Sequence, residues 1–228
     1  MYFSPGMVLI EGRGGLLRKS LVVNMNRVRP RACGDPRDKV FALYGTLRQL
    51  GVILDAPQYA PEVTVAHVYQ RFTICFIQWH RTLDILVEAC YPPPSSAPTW
   101  VPDLRRPYKR WDIQKFRAAG DSRPDYRFMD DRTLHTTGMR LGRVWKTWVD
   151  REDPSRRRYF TDGKSYTGAS PAPVEPGDIA VLISGLRVPM ILRPAVAGFT
   201  VVGMAEVDGV MEGAAWKSPL APDSFTLI

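Results

Sequence analysis

The chain has 228 residues, 45% of them hydrophobic and 24% charged, with a formal net charge of +8. That much apolar side chain can bury a core, which argues against wholesale disorder. No run approaches 18 consecutive apolar residues, which excludes a spanning helix. Within residues 1–30, Leu16, Leu17, Leu21, Val22 and Val23 form one apolar helix face behind Gly14–Gly15.

The next segment carries a helix start. Asp35 stands at the N-cap, Pro36 at the first helical position, where its missing N–H costs nothing, and Asp38 near the positive end of the dipole. Val40, Phe41, Tyr44, Leu47 and Leu50 then recur at helical spacing up to Gly51, predicting a helix over 36–50. Val65, Val68, Tyr69, Phe72, Cys75, Phe76 and Trp79 predict a second helix over 64–80, capped by Thr64 and ending at His80–Arg81. Cys75 reads as an inert core thiol. Leu83–Val87 reads as a short buried strand. Tyr91–Pro98 is a proline-rich surface connection, and the polar residues 105–125 read as a long excursion or loop.

From residue 126 the period changes to that of strands. Arg127–Met129, Leu134–Gly138, Leu141–Trp145, Tyr159–Phe160, Ile179–Ile183, Val188–Leu192, Phe199–Val202 and Ala205–Val207 are short apolar runs between turns. Thr161–Lys164 places Asp-Gly at a hairpin tip. The expected fold is α+β, with N-terminal helices packed on a C-terminal antiparallel β region shaped as a small bent sheet or barrel. Three segments follow: 1–104, mainly helical with a short strand; 105–125, the loop; and 126–228, the β region.

Cys33, Cys75 and Cys90 form no closely spaced pair, and His67, His80 and His135 are scattered. Free thiols, no metal and no cofactor are expected. The start Met1–Gly6 lacks a basic region followed by an apolar run, so no secretory signal is expected and the location is read as cytoplasmic. Residues 101–160 carry 16 basic and nine acidic side chains, with Tyr108, Trp111, Tyr126 and Trp145 interleaved. The acids Asp121, Asp125, Asp130 and Asp131 break up that charge, and aromatics in strands are more often core. Nucleic acid is therefore not the expected partner. Gly163-Lys164-Ser165 resembles the end of a phosphate loop but lacks the upstream glycine. No Ser, Cys or His stands in a nucleophile elbow. Asp84 and Glu88 suggest no tuned acid pair.

Two groups stand out as candidate binding residues. Asp35, Arg37 and Asp38 could form an ion cluster for a ligand. Capping, with Arg37 locking the helix to another segment, is the more economical reading. Trp100 and Asp103 could line a pocket, although a core anchor and a turn cap explain them as well. No residue is assigned a catalytic role.

Several segments, in order, resemble fungal heterokaryon incompatibility (HET) domain proteins. They are Asp35–Gly45, the helix around Val65–Tyr69, Leu83–Leu86, Thr99–Asp103, Pro176–Leu182 with Val188–Pro194, and Val201–Gly213. The two motifs of the family's eponymous N-terminal module are absent, so the resemblance covers only the region that follows it, and no activity of that module is carried over. What it implies is a non-catalytic recognition or scaffold region acting through protein contacts in non-self recognition and incompatibility-linked cell death. The alternative is a stand-alone enzyme or small-molecule binder on the same scaffold, which a deep apolar pocket with converging polar groups would favour.

Overall fold

The computed structural model describes residues 25, 29–49, 51–52, 54–89, 93, 96–106, 113–163, 166–216 and 222–228. The expected helix around Leu16–Val23 lies outside them, as do Cys90, Tyr108, Trp111, Lys164 and Ser165.

The helix expected over 36–50 is broken into α1, Asp38–Phe41, and α2, Tyr44–Gln49. The Pro36 carbonyl starts a tight turn by accepting from the Lys39 N–H, and a further turn at Ala42–Leu43, with the Leu43 N–H on the Val40 carbonyl, separates α1 from α2. Five apolar positions at helical spacing do not reveal such a break, because both pieces carry buried apolar residues and so does the turn between them: Val40, Leu43 and Leu47 are all buried. The second helix, α3, spans Val65–His80, as its periodicity predicts. The Thr64 hydroxyl accepts from the His67 N–H at 3.1 Å, and Arg81 ends the helix in the left-handed conformation, its N–H returning to the Ile77 carbonyl.

Leu83–Val87 is not a strand. Asp84–Glu88 is a 3-10 helix with Ile85, Leu86 and Val87 all buried. A short apolar run satisfies either period. Here a single tight turn bonds its own amides and needs no neighbouring strand.

The β region contains nine strands among the described residues: β1 Tyr126–Phe128, β2 Leu134–Val149, β3 Arg157–Thr161, β4 Thr167–Ser170, β5 Ile179–Ile183, β6 Met190–Ala195, β7 Gly198–Met204, β8 Glu206–Val207 and β9 Asp223–Leu227. Two of the expected strands fuse into the 16-residue β2. This strand pairs with β1, β3, β5 and β9, and the β2–β5 contact closes β2, β5, β6, β7 and β9 into a ring. From β2, the sheet runs on through β3 and β4 to β8. The Asp-Gly hairpin joins β3 to β4, and Gly163 takes a positive φ of 70° at its tip. One pairing departs from the antiparallel expectation: β7 and β9 run parallel, in register at Phe199 and Leu227. The α+β class holds, with one long helix and a mixed sheet.

Alternate residues of β5–β7 serve two cores, which explains why Ile179–Ile183 is apolar at every position. Ile179, Val181, Ile183, Met190, Leu192 and Val201 join the helical residues Val40, Leu47, Tyr69, Phe72, Ile77 and Leu86 in the larger core. Ala180, Leu182, Ile191 and Val202 face a smaller core with Tyr159, Val174 and Val207. Part of the polar stretch before the β region is pinned to it. Arg117 and Ala118 donate their N–H groups to Met211 and Arg187, and Ala118 is fully buried.

Candidate functional site

The Asp35–Lys39 segment works as a clamp. Asp35 does not cap α1 itself. Its carboxylate accepts from the Arg37 N–H at 2.9 Å and from the Arg37 guanidinium at 3.0 Å (Nε) and 2.7 Å (Nη2). These bonds hold the Asp35 carboxyl below the usual carboxylate range. The remaining arm of Arg37, Nη1, donates to the carbonyls of Ala60 and Val63 at 3.0 and 2.9 Å. The guanidinium carbon also lies 5.2 Å from the centre of the Tyr59 ring. A planar fork with five donors can serve a carboxylate and two carbonyls at once, which lysine could not do. Asp38 accepts from the Tyr59 hydroxyl at 2.5 Å, and the Tyr69 hydroxyl donates to the Pro36 carbonyl at 2.8 Å. The clamp thus ties α1 to the 59–63 loop and to α3.

The second group lies across a chain of buried polar contacts. Lys39 is almost fully buried, and its ammonium donates to the carbonyls of Arg29 (2.8 Å) and Arg31. Arg29 pairs with Glu88 at 2.5 Å and donates to the Asp103 carbonyl at 3.3 Å. The Asp103 carboxylate accepts from the Arg105 N–H at 3.0 Å and from both ends of its guanidinium at 2.8 Å. Burial pushes the Asp103 carboxyl up, but the hydrogen bonds from Arg105 outweigh it, and the net shift is downward. Burial raises the carboxyl of Glu88 despite Arg29, and that of Asp84 despite Arg187. Trp100 is fully enclosed, its indole N–H donating to the Arg132 carbonyl at 3.0 Å and its ring 5.8 Å from that of Phe128.

The candidate residues fall into neighbouring sets of contacts: Asp35, Arg37 and Asp38 in the clamp, Asp103 in the contacts that run through Arg29, and Trp100 in the core with its N–H on Arg132. Their polar atoms point at other parts of the chain. Beside the clamp lies a groove of about 120 Å³. Val40, Phe41, Tyr44, Leu54, Val63 and Val68 supply its apolar surface, and Asp55, Gln58, His67 and Arg71 its polar edge. Asp55 and Arg71 approach each other at 3.4 Å. The sequence reading assigned no role to Leu54, Asp55, Gln58 or Arg71, because the groove forms only where the 54–63 loop folds back over α1 and α3. Cys33 and Cys75 form no disulfide among the described residues, and burial raises the pKa of the Cys75 thiol, which suits a structural rather than a nucleophilic role. Among the described residues no group of His, Cys, Asp and Glu is placed to hold a metal ion, and no helix is long and apolar enough to cross a membrane.

The ring of strands that these contacts brace has a counterpart among known families. A family model for the Het-6 β-barrel domain matches residues 114–224, from just before β1 to the start of β9. No curated protein and no solved structure matches the chain. Over residues 114–224 the chain is thus similar to a HET-related heterokaryon incompatibility family region, the Het-6 β-barrel domain.

Proposed function

We propose that this chain is a non-catalytic recognition and scaffold region of a HET-like fungal protein, acting through protein contacts in non-self recognition and incompatibility-linked cell death. The observation that carries this reading is the use made of the motif residues. Arg37 and Asp103 direct their charged atoms to other parts of the chain, and Lys39 donates to backbone carbonyls. Residues committed in this way brace a surface and do not turn over a substrate. The three-part organisation, 1–104, 105–125 and 126–228, belongs to the same proposal, the first part serving as the brace and the last as the barrel.

The alternative, a small-molecule binder or enzyme, rests on the groove beside α1. Its volume of about 120 Å³ is well below the several hundred cubic ångströms typical of ligand pockets. That size suits a single apolar side chain from a partner better than a nucleotide.

The test separates the two classes. Purified protein is incubated with NAD and nicotinamide release is followed. No release above background is expected. Release that disappears on substituting Asp35, Arg37 or Asp103 would make the enzyme reading the leading one. In parallel, expression of the chain in fungal hyphae should alter incompatibility-type death, and Val63→Glu at the groove should remove the effect.

A further inference from the structure

The outer face of the β2–β3 ribbon has no role in the clamp, the groove or the two cores. A bulge between Val144 and Lys146 breaks the alternation of β2, so Val144 is buried while Trp145 and Lys146 both face solvent. Trp145 is 59% exposed. The register sets Lys146 opposite Phe160 and Trp148 opposite Arg158. The Phe160 ring lies 6.1 Å from Trp145 with their planes 18° apart, and 4.8 Å from Trp148. Three aromatic rings thus form a file along the outside of the ribbon, while the neighbouring Tyr159 faces the core. Trp145 is the exposed member of the file, with Phe160 and Trp148 half-buried beside it, and the three rings together form an apolar surface open to a partner.

The charge around the file identifies the contact. Arg143, Lys146 and Arg151 form no ion pair among the described residues. Most of the nearby acids are engaged. Asp150 holds Arg158 at 2.9 Å and accepts from the Glu152 N–H. Asp162 accepts from the Arg143 N–H at 2.6 Å, Asp153 accepts from Ser155, and Glu206 holds Arg156 at 2.6 Å. Glu152 lies close enough to Arg158 to favour its charge. Between residues 140 and 162 the chain has seven Arg or Lys and four Asp or Glu.

We propose that this face binds single-stranded nucleic acid, with bases stacking on Trp145, Phe160 and Trp148 and phosphates running past Arg143, Lys146 and Arg151. A file of rings whose outermost indole is exposed, set among cations that form no ion pair among the described residues, serves a polyanion whose bases are free to stack. A duplex keeps its bases stacked on one another and cannot use the rings. An acidic protein could use the cations but has no need of a file of ring faces. The sequence reading set nucleic acid aside because strand aromatics usually fill cores. That holds for Tyr126, which packs against the larger core, and fails for Trp145.

The experiment measures fluorescence anisotropy of labelled single-stranded DNA and RNA of about 12 nucleotides, titrated with the full chain. Binding is expected for the single strands and not for the duplex. Trp145→Ala is expected to weaken it by about 5- to 100-fold, since each stacked base carries a large share of the affinity. Lys146→Glu should also weaken it, and raising the salt from about 50 to 200 mM should cost roughly tenfold. Val196→Ser, at the exposed β6–β7 tip, should leave it unchanged. Circular dichroism and thermal midpoints establish that each variant is folded, and Trp145, being exposed, can be removed without opening a cavity. Three results would overturn the proposal. One is the absence of binding by the folded wild-type chain. Another is binding that survives Trp145→Ala but not Lys146→Glu, which would mean charge alone. The third is displacement by an acidic peptide as effective as displacement by unlabelled strand, which would point to an acidic protein partner.

Discussion

The helical half and the barrel share one large apolar core but differ in what they add to it. Around α1, buried charges are paired and hydrogen-bonded in a lattice of neighbouring contact sets, from the Asp35 clamp to Asp103. In the barrel, β5 is buried on both faces and aliphatic packing dominates, with Tyr159 and Phe225 the fully buried large aromatics of its described strands. The difference teaches where each half is fragile. A lattice fails when one partner is removed, because a buried charge or carbonyl is left without its bond. A barrel core fails when volume changes.

Four measurements would break or sharpen that contrast. Trp100 belongs to both worlds, as a core anchor and an N–H donor. Trp100→Ala should lower the free energy of unfolding by about 3–5 kcal/mol in urea titration. A loss below about 1 kcal/mol would mean that the site collapses around the gap.

Arg29→Met breaks the lattice at its centre and strands Glu88. The cost should be about 3 kcal/mol near neutral pH and smaller near pH 4. The sign follows from linkage: the Glu88 carboxyl is already raised by burial, and without Arg29 it rises further. An acid whose folded pKa exceeds its unfolded value takes up a proton on folding, so stability falls as pH rises through that window. Unfolding midpoints of wild type and variant at the two pH values check it. A pH-independent difference would show that Glu88 is not the group responsible.

The barrel offers the volume test. A Cβ on Gly168 would lie 2.5 Å from the hydroxyl end of the Tyr159 ring and 2.7 Å from the Glu206 carbonyl. Gly168→Ala should therefore cost about 1–3 kcal/mol through overpacking, measured by the same titration.

The smallest effect is the most discriminating. The Tyr159 hydroxyl is buried with no hydrogen-bond partner among the described residues, and its pKa is raised by burial. Tyr159→Phe should change stability by less than about 1 kcal/mol, and in the stabilising direction, because a buried hydroxyl with no bond carries only a desolvation penalty. A clear loss would reveal a water or partner bonded to that oxygen.

The local signals in the chain were sufficient wherever one residue's chemistry decides the structure. Thr64 and Arg81 bound α3, the Asp-Gly pair at Asp162–Gly163 marks a hairpin, and Ile179–Ile183 reads directly as a strand because both faces must be apolar. Arg37 was legible as a lock, since a guanidinium beside Asp35 at a helix start needs partners for its remaining donors. The carbonyls it found, Ala60 and Val63, were not, because nothing in a sequence fixes where a loop returns.

Tertiary structure alone decided the rest. It interrupted the helix with a turn at Ala42–Leu43 and made Asp84–Glu88 a 3-10 helix, because a short apolar run fits two periods and only its neighbours choose between them. It closed β2 on β5 and set β9 parallel to β7, since pairing partners depend on contacts between residues far apart in the chain. It also turned Trp145 outward, through a bulge that appears as a register shift between two strands and leaves no trace in either one read by itself.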